Sequence, residues 1–230
     1  VQGTFGGLQM LRMRQFNDYL RYCNGFSSNE IRALNETQIQ SAITAGQTYI
    51  KKRVSGEGED LGSQYAYIRA KKRITRTDLC NLYNWPVSRP IVAVYASKWF
   101  DTPHAYGMSN FRDFLDWLQT TIAIARVNNN VSWLLKPHPC DEWYGGVTLR
   151  DLLPDYPEEQ IGHAPQGWNG HSVINSVDYL VTVHSTAGLE FSLFGKPVLC
   201  SDKGWYDKFE FTVNATSKTH YQELLMTDWW

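Results

Sequence analysis

The sequence Lys-Pro-His-Pro at positions 136–139 directly follows the apolar run 131–135. Two prolines restrict the backbone on either side of His138 and so fix how the imidazole leaves the chain. Next to Lys136, this histidine can donate a hydrogen bond to a phosphate or act as a general acid toward a departing nucleotide. A plain turn at a strand end, with an incidentally exposed histidine, explains the same residues and stays open.

A second cluster, His-Ser-Thr-Ala-Gly-Leu-Glu at positions 184–190, follows another apolar run. Its small residues predict a turn into a helix, whose first backbone N–H groups and partial positive charge make an anion site. The hydroxyl groups of Ser185 and Thr186 add donors for phosphate oxygens. Gly188 permits close packing of the helix on the sheet and is a further candidate for nucleotide binding, and Glu190 is placed to reach ribose hydroxyls. Simple N-capping by Ser185, with Glu190 as a favourable acid near the helix start, is the alternative.

Three further groups have chemistry to weigh. Asp101 follows the predicted strand Ile91–Tyr95 and would stand at the edge of a cleft, where it is a catalytic candidate; a turn is the alternative. Asp141 and Glu142 resemble a pair of catalytic carboxylates, but we expect them in an exposed, solvated loop. The basic run 69–76 is expected to be a solvated helix face, with binding of lipid phosphates or an anionic glycan as the alternative.

These clusters require elements that bring them to one edge. From position 90 onward, apolar runs rich in β-branched residues alternate with amphipathic stretches, which predicts a parallel sheet with helices on both faces. We predict strands at 91–95, 131–135, 179–183 and 197–200 and helices at 110–127, 173–176 and 186–194, with a last helix capped at Thr219. If the strands before the two clusters are neighbours, their ends lie about 5 Å apart.

The preceding part of the chain has the spacing of helices. Helices are predicted at 8–22, at 30–54 as one or two segments, and at 63–83. The expected organisation is therefore a helical N-terminal region, 1–86, followed by a Rossmann-like α/β domain, 87–230. The absence of an initiator Met and the abrupt end at Trp230 lead us to expect a fragment of a longer protein.

Composition narrows the classes of function. With 22 basic and 23 acidic residues, the net charge of −1 gives no reason to expect nucleic acid as a partner. The four cysteines are widely spaced and form no Cys-x-x-Cys pair, so we expect reduced thiols in a cytoplasmic protein. Histidines without metal-ligand spacing, and the lack of an Asp-x-Asp motif at a strand end, predict a site without metal.

Taken together, the order and spacing of the two clusters, followed by Gly-Lys-Pro-Val-Leu at 195–199, resemble the C-terminal half of the capsule-polysaccharide-synthesis family. The resemblance extends over about 90–225 and includes Ala-Ser-Lys-Trp-Phe-Asp at 96–101. That family consists of glycosyltransferases with two Rossmann-like domains, the GT-B architecture, including Kdo transferases. The resemblance implies that His138, Ser185 and Thr186 contact the donor phosphate. By looser analogy with other GT-B enzymes, Glu190 would hold the ribose.

The resulting hypothesis is a glycosyltransferase, or its donor-binding domain, that moves a sugar from a nucleotide sugar to a growing surface polysaccharide. CMP-Kdo is the first candidate donor and UDP-sugars are next; no cofactor is expected. The partners would be the nucleotide sugar and a glycan or glycolipid acceptor, with peripheral association at the inner membrane left open. The alternatives are a sugar-nucleotide epimerase or hydrolase of the same architecture, and a non-catalytic nucleotide-binding module.

Overall fold

The computed structural model describes residues 2–4, 7–9, 28–58, 61–68, 70–98, 109–139, 141, 147–152, 159–165 and 167–230. The chain divides into two compact units, Val1–Ala70 and Lys71–Trp230. The predicted domains, 1–86 and 87–230, are stretches expected to fold independently. Compactness does not test independent folding, so that boundary stays a prediction.

The first unit is mainly helical. Strands β1 (Gln2–Thr4) and β2 (Gly7–Gln9) form an antiparallel hairpin. They are followed by α1 (Ser28–Arg32), α2 (Glu36–Lys52) and α3 (Leu61–Tyr67). Helix α2 starts with a capping box, in which Asn35 and Gln38 each accept the other's backbone N–H at 2.9 Å. Of the helix predicted at 8–22, positions 8 and 9 are in β2 and the remainder lies outside the described residues.

The second unit is built on a six-stranded parallel sheet. Its strands are β3 (Ile91–Tyr95), β4 (Ser132–Lys136), β5 (Ile161–His163), β6 (Tyr179–Thr182), β7 (Val198–Cys200) and β8 (Val213–Asn214). Their order across the sheet is β5-β4-β3-β6-β7-β8, and every neighbouring pair is parallel. The predicted Rossmann-like fold is confirmed.

The helices of this unit are α4 (Arg76–Tyr83), α5 (Phe114–Ala125), α6 (Leu149–Leu152), α7 (Gly170–Ser176), α8 (Thr186–Leu193) and α9 (Lys218–Leu225). Right-handed crossovers that run outward from β3 in one direction and from β6 in the other place helices on both faces of the sheet. Helix α5 packs with α9, where the Trp117 indole donates to the Tyr221 hydroxyl at 2.9 Å. Helix α4 contacts α7.

The structure corrects two predicted helices and adds two strands. The helix predicted at 63–83 is broken, because 71–73 is an extended segment that separates α3 from α4. The last helix is capped by Ser217, whose hydroxyl accepts the His220 N–H at 3.0 Å, and not by Thr219. Strands β5 and β8 were not predicted either, because Ile-Gly-His and Val-Asn contain no run of apolar residues, unlike the equally short β7.

Strand order also corrects a prediction about the site. Strand β3 lies between β4 and β6, so the strands that precede the two clusters are not neighbours. Their carboxyl ends are therefore separated by two strand spacings, about 10 Å. The end of β3, at Tyr95, lies between the two clusters.

Candidate functional site

The candidate site lies at the carboxyl edge of the sheet, where the strand order reverses direction. Strands β3 and β6 are adjacent, but their crossovers leave in opposite directions, which opens a crevice above their carboxyl ends. Tyr95 ends β3, Lys136 ends the neighbouring β4, and Thr182 ends β6. Open α/β sheets bind their ligands at this place, so the described geometry favours one site over these three strand ends.

Lys136, at the end of β4, places a positive charge at this edge of the sheet. It is only 5% exposed, and its ammonium nitrogen lies 5.3 Å from the centre of the Tyr95 ring. Burial, followed by the charge of Lys71, lowers the pKa of Lys136 to about 8, while Glu190 and Asp141 act in the opposite direction. A buried ammonium group next to an aromatic ring can contact an anionic ligand.

Tyr95 is a residue that the sequence did not single out. Its ring meets Phe191 edge-on, with centroids 5.3 Å apart, and its hydroxyl is buried without a hydrogen-bond partner among the described residues. Burial, reinforced by the charge of Glu190, raises the pKa of the phenol well above its usual value. Tyr95 therefore stays neutral and forms the floor between Lys136 and Glu190.

The start of α8 offers donors to an anion. Ser185 precedes the helix, but its hydroxyl does not cap it and instead accepts a hydrogen bond from the Thr182 hydroxyl at 2.9 Å. Within the described part of the chain, the backbone N–H groups of Thr186 and Ala187 have no acceptor. The alternative of simple capping by the Ser185 side chain is therefore wrong, and the helix end is left to bind another acceptor.

Gly188 has a packing role in this structure. A Cβ atom at this position would lie 2.8 Å from Cζ of Tyr206 and would overlap the Tyr206 hydroxyl. That hydroxyl donates to the Ser185 carbonyl at 2.7 Å, which fixes the turn before α8. Gly188 thus serves the site by admitting Tyr206; its direct contact with a nucleotide stays a prediction.

Glu190 is 5% exposed and lies within α8, one turn after the Thr186 end. Burial is the main cause of the pKa shifts of Tyr95, Lys136 and Tyr206, and the charge of Glu190 contributes to each, so Glu190 lies near these three side chains. Contact with a ribose would use the small exposed part of the side chain. This role stays a prediction.

His138 is held in a short turn that is attached to the loop after β3. Its carbonyl accepts the Asp141 N–H at 3.1 Å. Asp141 is buried, and its carboxylate forms an ion pair with Lys98 at 3.2 Å, while Lys98 also donates to the Asp141 carbonyl. The expectation of a solvated Asp141 is therefore wrong, because Lys98, 2% exposed, neutralises it inside the protein. The ion pair joins the loops after β3 and β4.

A second buried carboxylate organises the same edge. Asp202, which follows β7, accepts the backbone N–H groups of Ser109 and Asn110, each at 2.8 Å, and that of Lys203 at 2.8 Å. These bonds fix the chain just before α5. Asp101, the other catalytic candidate, and Glu142 lie outside the described residues.

The described residues contain neither a candidate metal site nor a helix suited to cross a membrane. No group of three or more His, Cys, Asp or Glu side chains within them is arranged to hold a metal ion. Among the same residues, no helix combines the length and apolar character that crossing a membrane requires.

The fold and this edge define a doubly wound α/β domain with a crevice at the carboxyl ends of β3 and β6. The family model for capsule polysaccharide biosynthesis proteins matches residues 27–223, which is most of the chain. The chain belongs to this family. A comparison with curated protein sequences found no match.

Two solved structures are similar to this chain, and the first of them shares its fold. KpsC of Thermosulfurimonas dismutans, described as a beta Kdo 2,4 transferase, is 15% identical with a TM-score of 0.55, and the match covers 90% of this chain and 58% of that chain. A second KpsC structure from the same organism, a beta Kdo 2,7 transferase, gives 16% identity and a TM-score of 0.48 over 92% and 57% of the two chains. The chain thus spans less than two thirds of the length of these proteins.

Proposed function

We propose that this chain carries the donor-binding half of a glycosyltransferase that builds a bacterial surface polysaccharide. Its membership of the capsule polysaccharide biosynthesis family supports a role in making such a polymer. The fold it shares with a Kdo transferase supports sugar transfer as the reaction. The donor would be a nucleotide sugar, with CMP-Kdo as the first candidate and UDP-sugars as the next.

The observation that carries this proposal is the grouping at the crevice between β3 and β6. Lys136 supplies a buried ammonium group, and the Thr186 end of α8 supplies backbone N–H groups that have no acceptor within the described part of the chain. Both are suited to the phosphate of a nucleotide, whose negative charge grows as the sugar leaves. A phosphate above Tyr95 would lie between the two groups, about one strand spacing, or roughly 5 Å, from each strand end.

The remaining roles follow from position. His138, after β4, would donate a hydrogen bond to the same phosphate or protonate the leaving oxygen. Ser185 and Thr186 would add hydroxyl donors, and Glu190 would hold the ribose. Asp101 is the proposed additional catalytic residue. Cytoplasmic location, with the acceptor glycan presented at the inner membrane, completes the proposal.

The test is a screen of CMP, CDP, UMP and UDP by thermal shift and calorimetry. A ligand that binds only the folded state raises its melting temperature by mass action, so at least one of these nucleotides stabilises the chain at millimolar concentration. Failure of all four with a protein that is folded by circular dichroism would contradict the proposal. Transfer itself is measured with the complete protein, where release of free sugar without acceptor would indicate a hydrolase instead.

A further inference from the structure

Within the basic run that precedes the sheet, Lys72 is bound through its backbone to the loop after β5. The Lys72 N–H donates to the Gly167 carbonyl, and the Asn169 N–H donates to the Lys72 carbonyl, each at 2.9 Å. Lys72 and Trp168 form a parallel β-bridge. Over 71–73 the run is therefore not the expected helix, because it is bound along the loop that follows β5, although Lys72 and Arg73 are exposed to solvent as expected. Arg76 lies in α4, and Arg69 lies outside the described residues.

That loop leaves from the carboxyl edge of the sheet. Ala164 directly follows β5, and its N–H donates to the Leu135 carbonyl at 2.8 Å, next to Lys136. The segment 71–73 therefore lies on the side of the sheet edge where β4 ends. Consistent with this position, the charge of Lys71 is second only to burial in lowering the pKa of Lys136.

Two ammonium groups so placed repel each other. The charges of Glu190 and Asp141 raise the pKa of Lys136, but each has a smaller effect on it than the charge of Lys71. Asp141 is also paired with Lys98. A bound anion reverses the balance, since it attracts both lysines at once.

We propose that Lys71 and Lys136 bind the same phosphate of the ligand, so that the segment before the sheet completes the anion site. This inference rests on the proposed nucleotide site and adds to it a residue that lies about 20 positions before β3 in the sequence. The phosphate-binding groups would then come from three places: the loop after β4, the start of α8 and the segment 71–73.

The experiment compares Lys71→Met with Lys72→Met. Lys72 carries the same charge one position away and is exposed, so it is a matched control for net charge and for the local backbone. Calorimetry at low salt measures CMP, cytidine and inorganic pyrophosphate. Lys71→Met weakens CMP and pyrophosphate about tenfold or more, the value of a lost charge-assisted hydrogen bond, and leaves cytidine unchanged. Lys72→Met changes each by less than about twofold.

A second readout separates binding from a structural effect. Removal of the Lys71 charge raises the pKa of Lys136, so in Lys71→Met the loss of CMP affinity at alkaline pH begins at a higher pH than in the parent. Lys72→Met shows the parental profile. If Lys71→Met does not fold, Lys71→Gln is measured in its place.

Equal effects of the two substitutions, or an unchanged affinity in Lys71→Met, would overturn the inference. Pyrophosphate distinguishes it from the proposed function. If no nucleotide binds but pyrophosphate binding depends on Lys71 and not on Lys72, the anion site stands and the nucleotide assignment falls. If CMP binds equally to parent and Lys71→Met, the nucleotide site stands without Lys71.

Discussion

The ammonium nitrogen of Lys136 lies 5.3 Å from the centre of the Tyr95 ring, so the last residues of β4 and β3 form a cation–π pair at the sheet edge. Register places the two residues directly opposite each other in the parallel ladder. Because both are at the carboxyl ends of their strands, this pair marks the floor of the crevice. Its charge state is expected to govern ligand binding.

The first prediction concerns pH. The pKa of Lys136 is about 8 because of burial, so its positive charge is lost as the pH rises above that value. CMP affinity should be highest below pH 8 and fall above it, whereas the affinity of Lys136→Met should be weak and nearly independent of pH. Calorimetric titration across this range measures the effect. A parental affinity that stays constant through the titration of Lys136 would contradict the role given to its charge.

The same lysine makes a prediction about stability. Its folded pKa is below the ordinary value of 10.5, so between about 8 and 10.5 the unfolded chain binds more protons than the folded one. Stability contributed by this group therefore rises with pH through that window, and below it the buried charge is a cost. Lys136→Met should then be at least as stable as the parent near neutral pH in urea denaturation. A marked loss would show that Lys136 is mainly structural.

Gly188→Ala should destabilise the fold. Alanine is ordinarily favoured over glycine in a helix by about 1 kcal/mol, but here the added Cβ meets the Tyr206 ring at 2.8 Å. The overlap should cost about 1–3 kcal/mol. Gly46→Ala is the control, because α2 leaves open space around Gly46 and the same substitution there should not lower stability. Equal unfolding midpoints for parent and Gly188→Ala would refute the packing role.

The ion pair between Lys98 and Asp141 is predicted to hold the His138 turn. Lys98→Met leaves Asp141 buried without its partner, which should cost about 3–5 kcal/mol in urea denaturation. Lys98→Met combined with Asp141→Leu should recover most of that loss, since it removes both charges. If the single substitution costs no more than the double one, the pair is not coupled as described.

Much of the fold was predictable from sequence, because individual strands and helices are encoded by patterns of neighbouring residues. The run Ile91–Tyr95 is rich in β-branched residues and the run before Lys136 is mainly apolar, so their strands were found within one residue. Strand order has no such local signal. Whether β4 or β3 lies beside β6 depends on the direction of each crossover, and the assumption that β4 and β6 are neighbours was wrong.

The candidate site shows the same division. Polar clusters directly after strands indicated Lys136, Ser185 and Thr186, because parallel strands bring such residues to one edge. The partnership of Lys98 with Asp141 joins residues 43 positions apart in two loops, and no spacing rule predicts it. One feature of the sequence could have indicated Tyr95 as a site residue. It is an aromatic residue with a hydroxyl group at the carboxyl end of a buried strand.

Metal independence is a further prediction. The proposed phosphate contacts are ammonium, imidazole, hydroxyl and backbone N–H groups, none of which requires a bridging cation. EDTA should therefore leave CMP affinity nearly unchanged in calorimetry. Loss of binding on chelation, restored by Mg²⁺ or Mn²⁺, would reveal a carboxylate ligand beyond this set.

The central claim is that one nucleotide lies across the crevice, with its phosphate toward His138 and its ribose toward Glu190. Calorimetric titration of CMP and cytidine into the parent, His138→Ala and Glu190→Gln tests it most directly. His138→Ala should weaken CMP about tenfold or more and leave cytidine unaffected, while Glu190→Gln should weaken both by a similar factor, because ribose is present in each. If His138→Ala folds normally and binds CMP as the parent does, the turn after β4 is structural and the account of the site is wrong.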